Sequence, residues 1–433
     1  MKRVSILKII IFSMLVFCLG SSALAQEWYN SAWSRRQKIT IDSDNAAFGL
    51  SGNLTEFPYL IKITDGGNDL FSYAQSSGDD ILFTASDGTT KLAHEIEAYN
   101  GLDDLTAWVR LPTFYSGADT IIYMYYGNSN AANQEQPQEV WANGYAGVWH
   151  LKEDGSVSDY EDSTNNMNVG VGGSVTSNES PTRSTNAIVG YSQDFDGIDD
   201  KIDVGDASNT SLNFGTQSFT FGLWVNSVVT SNYQWFLWRG AHSGGVPGYS
   251  IYRRDSANGG TYTINVGDTV DREKVTFTIA DNTWYYLVGV VDRTTQELRG
   301  YVNGVLEGTP LDISYMGSVD YFADNFRFGR NSDIDGLLDE ARVSNVPRSA
   351  DWIKTQYNMQ LPAHQGAPTN ISGKPNTIDN NLFIKQRGRQ QDYYQYRKLL
   401  TINRNKVEGT HTDFPVLTIA VPGNFLPGSK SRP

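Results

Sequence analysis

The chain has 433 residues, enough for at least two sizeable cores, and a formal net charge of −14 at pH 7. That acidity argues against nucleic acid or anionic lipid as the main partner. Aromatics make up 12% of the chain and Gly, Asn, Ser and Thr are abundant. Such a composition favours many short strands joined by turns over long helices.

Residues 1–25 read as an export signal. Lys2, Arg3 and Lys8 form a positive end, 9–19 is apolar but too short to span a bilayer, and Ala23-Leu24-Ala25 is a small-residue cleavage site. Cleavage there would leave a chain beginning at Gln26. The single cysteine, Cys18, lies in the apolar stretch, and Phe17 before it is too bulky for a good lipid-attachment box. An exported chain without disulfides must be stabilised by burial, with a bound metal as a further tie. No later apolar run reaches the length of a membrane span.

Residues 27–140 read as one all-β domain. Lys38-Ile39-Thr40-Ile41-Asp42 alternates at period two, and Phe57-Pro58 opens a second strand, since proline is tolerated at a strand's start but not its middle. Further strands follow near Ile81, Trp108 and Tyr123. His94, Glu95 and Glu97 are the obvious chemistry of this domain. On a strand Glu95 and Glu97 share a face while His94 points the other way, so the three do not form one ligand set and the segment reads as a polar sandwich edge.

Residues 145–360 read as a second domain, opened by Gly147-Val148-Trp149-His150-Leu151. Within it, 193–204 gathers Asp194, Asp196, Asp199, Asp200 and Asp203 around Lys201, with Gly197 allowing a tight turn. Such an oxygen-rich rim suits a hard cation such as calcium, although a solvated acidic turn has the same composition. Phe219, Phe221, Leu223 and Val225 alternate and should face a core. Asn303-Gly304 between apolar alternations predicts a type I′ hairpin. Ser349 predicts the cap of a short helix over 350–357, with Asp351 in its first turn. Asp339 and Glu340 are adjacent, which on a regular strand sends them to opposite faces. Trp235, Trp238, His242 and Tyr249 lie beside glycine-rich turns and could form an aromatic binding rim. Trp235-Phe236-Leu237-Trp238 also alternates well enough to be an ordinary strand.

Residues 361–392 are a Pro-, Gly-, Asn- and Gln-rich linker. After it the first domain begins again: Arg397-Lys398-Leu399-Leu400-Thr401-Ile402 answers Arg36-Gln37-Lys38-Ile39-Thr40-Ile41, and Phe414-Pro415 answers Phe57-Pro58. Residues 393–433 are therefore expected to be a partial repeat with too few strands to bury a core alone.

The segment Phe195-Asp196-Gly197, with Trp149-His150-Leu151, Asp162-Ser163 and Leu338-Asp339-Glu340-Ala341-Arg342-Val343, resembles the LamG-like domains of the concanavalin A-like lectin/glucanase group. The order Phe57-Pro58, Asp79-Asp80-Ile81, His94-Glu95-Ile96-Glu97, Ala107-Trp108-Val109 and Tyr123-Met124-Tyr125-Tyr126-Gly127-Asn128 resembles a bacterial, envelope-associated domain of unknown function. The resemblances imply an all-β chain of two β-sandwich domains in series, the second a jelly roll. They also imply calcium held by Asp196 and Asp339, with Asp199 and Asp200 as further candidates. Glucanases of that fold carry Glu-x-Asp-x-x-Glu on one strand, and no such arrangement occurs here. The expectation is thus a secreted or envelope-associated, non-catalytic protein that binds glycan or another cell-surface ligand. A glycoside hydrolase and a ligand-free spacer are the alternatives.

Overall fold

The computed structural model describes residues 28–41, 49–64, 66–154, 159–173, 179–205, 210–241, 243–330, 334–361 and 377–379. Residues 1–27, where an export signal is expected, most of 361–392, residues 393–433, where a partial repeat is expected, and His242 lie outside the described residues. Among those described, α-helix occurs at Leu70–Tyr73, Pro137–Val140 and Ala350–Gln360, and the remainder is built from strands and turns.

The first domain is a sandwich of two antiparallel sheets. One orders Thr377–Asp379, Arg35–Ile41, Thr120–Tyr126, Leu82–Thr84 and Lys91–Leu92; the other orders Leu54–Ile63, Leu105–Phe114 and His94–Tyr99. Ile39 and Ile41 alternate inward as the sequence pattern requires, against Ile122, Met124, Phe57 and Val109. On the other face of the first sheet, Trp33 packs with Leu82, Tyr123 and Tyr125.

The second domain stacks an eight-stranded sheet on a nine-stranded one. Phe219, Phe221, Leu223 and Val225 face the core between them, with Tyr249, Ile264, Phe326 and Val343. Val302 pairs with Val305 around Asn303 and Gly304, both at positive φ, so the hairpin turn is of the predicted kind. Ser349 Oγ accepts the Trp352 N–H at 3.2 Å and caps the helix, which runs on to Gln360, past the expected end at Tyr357.

The nine-stranded sheet buries its outer face too. Trp224, Tyr286, Val288, Val290 and Trp352 join Trp108, Trp141 and Phe57 in one apolar cluster. The Phe57 and Trp352 rings meet edge-on at 4.7 Å. The three-stranded sheet is therefore covered on both faces around Trp108, while Arg110 and Glu56 at its margin stay partly exposed.

Candidate functional site

Glu95 and Glu97 lie on that three-stranded sheet. Both are buried, so the segment is not a polar sandwich edge; the expectation fails because another domain covers the face that one isolated sandwich would leave wet. They do share a face, and His94 does point away, into the sandwich beside Phe83 with ring centroids 5.3 Å apart. Burial drives the His94 pKa down to about 3.

Opposite the two glutamates stand His150, at the end of Tyr145–Trp149, and Glu340, on Asp335–Ser344. Glu340 reaches this face through a β-bulge. Pairing with Phe219–Ser227 jumps between Gly222 and Trp224, and Glu340 adopts φ +50°, unusual for a residue with a side chain. Leu338, Ala341 and Val343 consequently point into the second domain's core. Asp339 and Glu340 both point out of it, contrary to the opposite-face expectation. Glu97 also occupies a register jump, between Ile96 and Ala98.

The carboxylates converge on one imidazole. His150 Nδ1 lies 2.8 Å from Glu340 Oε1 and 3.1 Å from Glu97 Oε2, and Nε2 lies 3.3 Å from Glu95 Oε2. Each acid has further support. Trp141 Nε1 and Ser163 Oγ donate to Glu95, both at 2.6 Å. Arg342 donates to Glu340, and its guanidinium lies over the Trp108 ring at 4.5 Å. Lys152 Nζ lies 3.5 Å from Glu97. Asp339 accepts the backbone N–H groups of Ile188 and Val189 at 2.7 and 3.0 Å.

Burial would raise Glu95, but His150, Lys152 and Ser163 hold its pKa down to about 2. Burial outweighs these cations at Glu97 and raises it. Asp339 is raised well above the carboxylate range by burial and by Glu340. Burial would lower His150, yet Glu97, Glu340 and Glu95 raise it well above an ordinary histidine.

The acidic turn is a separate place. Asp196 Oδ1 accepts the Ile198 N–H and Asp200 Oδ2 accepts the Asp196 N–H, both at 2.8 Å. Donor atoms of Asp196, Asp199 and Asp200 lie within 4.8 Å of one another. Asp339 does not join them. Asp196 pairs with Asp335, and Asp339 lies four residues further along that strand beside Trp224, about 13 Å away at the rise of a β-strand. The pairing of Asp196 with Asp339 followed from the family resemblance; their strands are neighbours, but the residues between Asp335 and Asp339 exceed the span of one ion's ligands. Asp203 is engaged by Arg327, and Lys201 by Glu179 at 3.1 Å.

Of the aromatic candidates, Tyr249 is a core residue whose hydroxyl donates to Leu212 O at 3.0 Å. Trp235 and Trp238 lie on Gln234–Gly240 and form a second cluster with Tyr252, Tyr233 and Tyr321. Trp235 and Tyr252 rings are 4.5 Å apart, and the Arg330 guanidinium lies 4.6 Å over Trp238. Phe236 and Leu237 point into the domain core, so this cluster occupies the sheet's other face. Tyr233, Tyr321 and Arg330 are partly exposed there.

Residues 196–354 match the concanavalin A-like lectin/glucanases superfamily, and residues 77–169 match a domain of unknown function, DUF2341. The chain thus joins a DUF2341 domain to a concanavalin A-like domain. No curated protein matches it. Among solved structures it is similar to the binding domain of Paraclostridial Mosquitocidal Protein 1, at 14% identity and TM-score 0.39, covering 51% of this chain and 52% of that one. The botulinum neurotoxin serotype D ligand binding domain in complex with N-acetylneuraminic acid gives the same identity, score and coverage. The binding domain of botulinum neurotoxin DC in complex with rat synaptotagmin II gives 12% identity, TM-score 0.39 and coverage of 51% and 52%. The chain spans about half the length of these solved chains.

Sequence reasoning named Glu95, Glu97, Asp339 and Glu340 but did not group them, and it passed over His150 as a strand end. His150 and Glu340 are 190 residues apart. No spacing rule joins residues so distant.

Proposed function

We propose that the chain is an exported, non-catalytic binding protein whose concanavalin A-like domain takes a glycan or another cell-surface ligand. The carrying observation is the partly exposed set of Tyr233, Tyr321 and Arg330 on the face of the eight-stranded sheet turned away from the core, backed by the buried rings of Trp235, Trp238 and Tyr252. Aromatic faces stack on the apolar faces of sugar rings, and a guanidinium supplies hydrogen bonds or pairs with an acidic group. The glutamates that converge on His150 are sealed between sheets, out of reach of a polymer chain, which favours binding over hydrolysis.

Calcium belongs to this reading at the Asp196, Asp199 and Asp200 turn, without Asp339. Burial and the neighbouring aspartates push Asp200 up to about 6, a repulsion that a cation would relieve. A glycan array is the test. Hits that vanish in Tyr233→Ala and Arg330→Ala support the reading, and an array without hits favours a spacer. Product release from β-glucans or galactans at stoichiometric protein would replace it with a hydrolase. Calorimetric titration with calcium, repeated on Asp199→Asn, tests the rim.

A further inference from the structure

We propose that Glu97, His150 and Glu340 form a site for one divalent transition-metal ion of the zinc type, which staples the DUF2341 domain to the concanavalin A-like domain. Donor atoms of the three residues all lie within 4.8 Å of one another, and all three side chains are buried. One imidazole and two carboxylates are a borderline-soft donor set, suited to zinc or cobalt ahead of calcium or magnesium.

Three features favour an ion over a set of hydrogen bonds. The first is stoichiometric: one nitrogen, His150 Nδ1, faces two carboxylate oxygens at 2.8 and 3.1 Å. A single N–H cannot serve both well. Around a tetrahedral ion with bonds of about 2.0–2.1 Å, neighbouring donors sit about 3.3 Å apart. The two nitrogen–oxygen separations need to open by about 0.5 and 0.2 Å.

The second is the support behind the donors. Nε2 of the same imidazole faces Glu95, itself held by Trp141 and Ser163. This carboxylate–histidine arrangement fixes the tautomer that leaves Nδ1 free to bind metal. Glu340 turns its other oxygen to Arg342. Glu97 Oε1 is buried and has no hydrogen-bond partner among the described residues. Gly190 closes the cluster there, since a Cβ on it would meet that oxygen at 3.4 Å.

The third is charge. Four acids, Glu95, Glu97, Asp339 and Glu340, share the interface with two permanent cations, Lys152 and Arg342. Fully ionised around a neutral His150, the group carries two uncompensated negative charges, which one divalent ion neutralises.

The test uses the full chain, stripped with a chelator and titrated with Zn²⁺ or Co²⁺ at neutral pH. One bound equivalent is expected, with the visible absorption of four- or five-coordinate cobalt. His150→Gln and Glu340→Gln should each weaken binding at least 100-fold. No stoichiometric zinc or cobalt overturns the proposal, as does binding kept by both interface variants. If the interface variants fail to fold, the cobalt spectrum of the unaltered chain decides: the intense visible bands of a four- or five-coordinate ion support the site, and the weak bands of six-coordinate aquated cobalt refute it. None of these readouts involves a glycan, so this proposal and the binding role fail independently.

Discussion

Two acidic clusters sit in this molecule and differ in almost every physical respect. The turn at Asp196, Asp199 and Asp200 is compact in sequence and closes its hydrogen bonds within itself. The cluster at Glu95, Glu97, Asp339 and Glu340 is scattered over the chain, buried, and organised by His150, Lys152 and Arg342. Local density of aspartate therefore marks a surface turn, whereas the strongest electrostatic coupling arises where domain docking and two strand bulges gather distant acids.

The comparison predicts unequal costs. His150→Ala leaves buried carboxylates without their shared cation and should lose about 3–5 kcal/mol in urea unfolding, the range for breaking a buried ion pair. A loss below about 1 kcal/mol would place this cluster with ordinary surface pairs.

The pH dependence should differ in sign within the buried cluster and in window between the two places. Glu95 is depressed to about 2, so its contribution is present above the ordinary carboxylate pKa and is lost as pH falls through about 2. In chelator-treated protein His150 is raised, so its contribution is complete below an unfolded value of about 6.5 and is lost as pH rises through its higher folded value. Asp200 is raised to about 6, so its ionisation opposes folding and the turn gains stability as pH falls from about 6 toward 4. Unfolding midpoints of His150→Ala and Asp200→Asn, each compared with the parent from pH 3 to 9, separate these contributions.

Ser163→Ala removes one donor from Glu95 and should cost about 1–3 kcal/mol, with the Glu95 carboxyl resonance titrating at higher pH in carbon-13 NMR. Asp200→Asn should have the smallest effect, a gain of under about 1 kcal/mol at pH 7 in chelator-treated protein, because the amide keeps an acceptor for the Asp196 N–H and removes the repulsion. Excess calcium should erase or reverse that gain if the turn binds the ion.

Much of the fold was legible because it rests on local rules. The alternation of Phe219, Phe221, Leu223 and Val225 set a buried face. Asn303-Gly304 set a turn, since few other pairs accept positive φ twice. Ser349 set a helix start. The helix end was less legible because buried contacts of Met359 and Gln360 extend it past the last periodic residue. Among the site residues, the sequence determined that Glu95 and Glu97 share a strand face and that His94 leaves it, because strand periodicity is a property of the chain alone.

The tertiary structure decided what that face meets. A solvent edge and a domain interface have the same period-two pattern, and only the docking of the second domain's nine-stranded sheet turned one into the other. Tertiary structure also decided that Asp339 and Glu340 point the same way. A bulge inserts one residue into a strand without changing its composition, and Glu340 accepts φ +50° where the sequence offers no glycine to announce it. Residues hundreds of positions apart meet because sheets pack, and the free energy that brings them together belongs to the apolar surface around Trp108, Trp141 and Trp352, not to the charges they enclose.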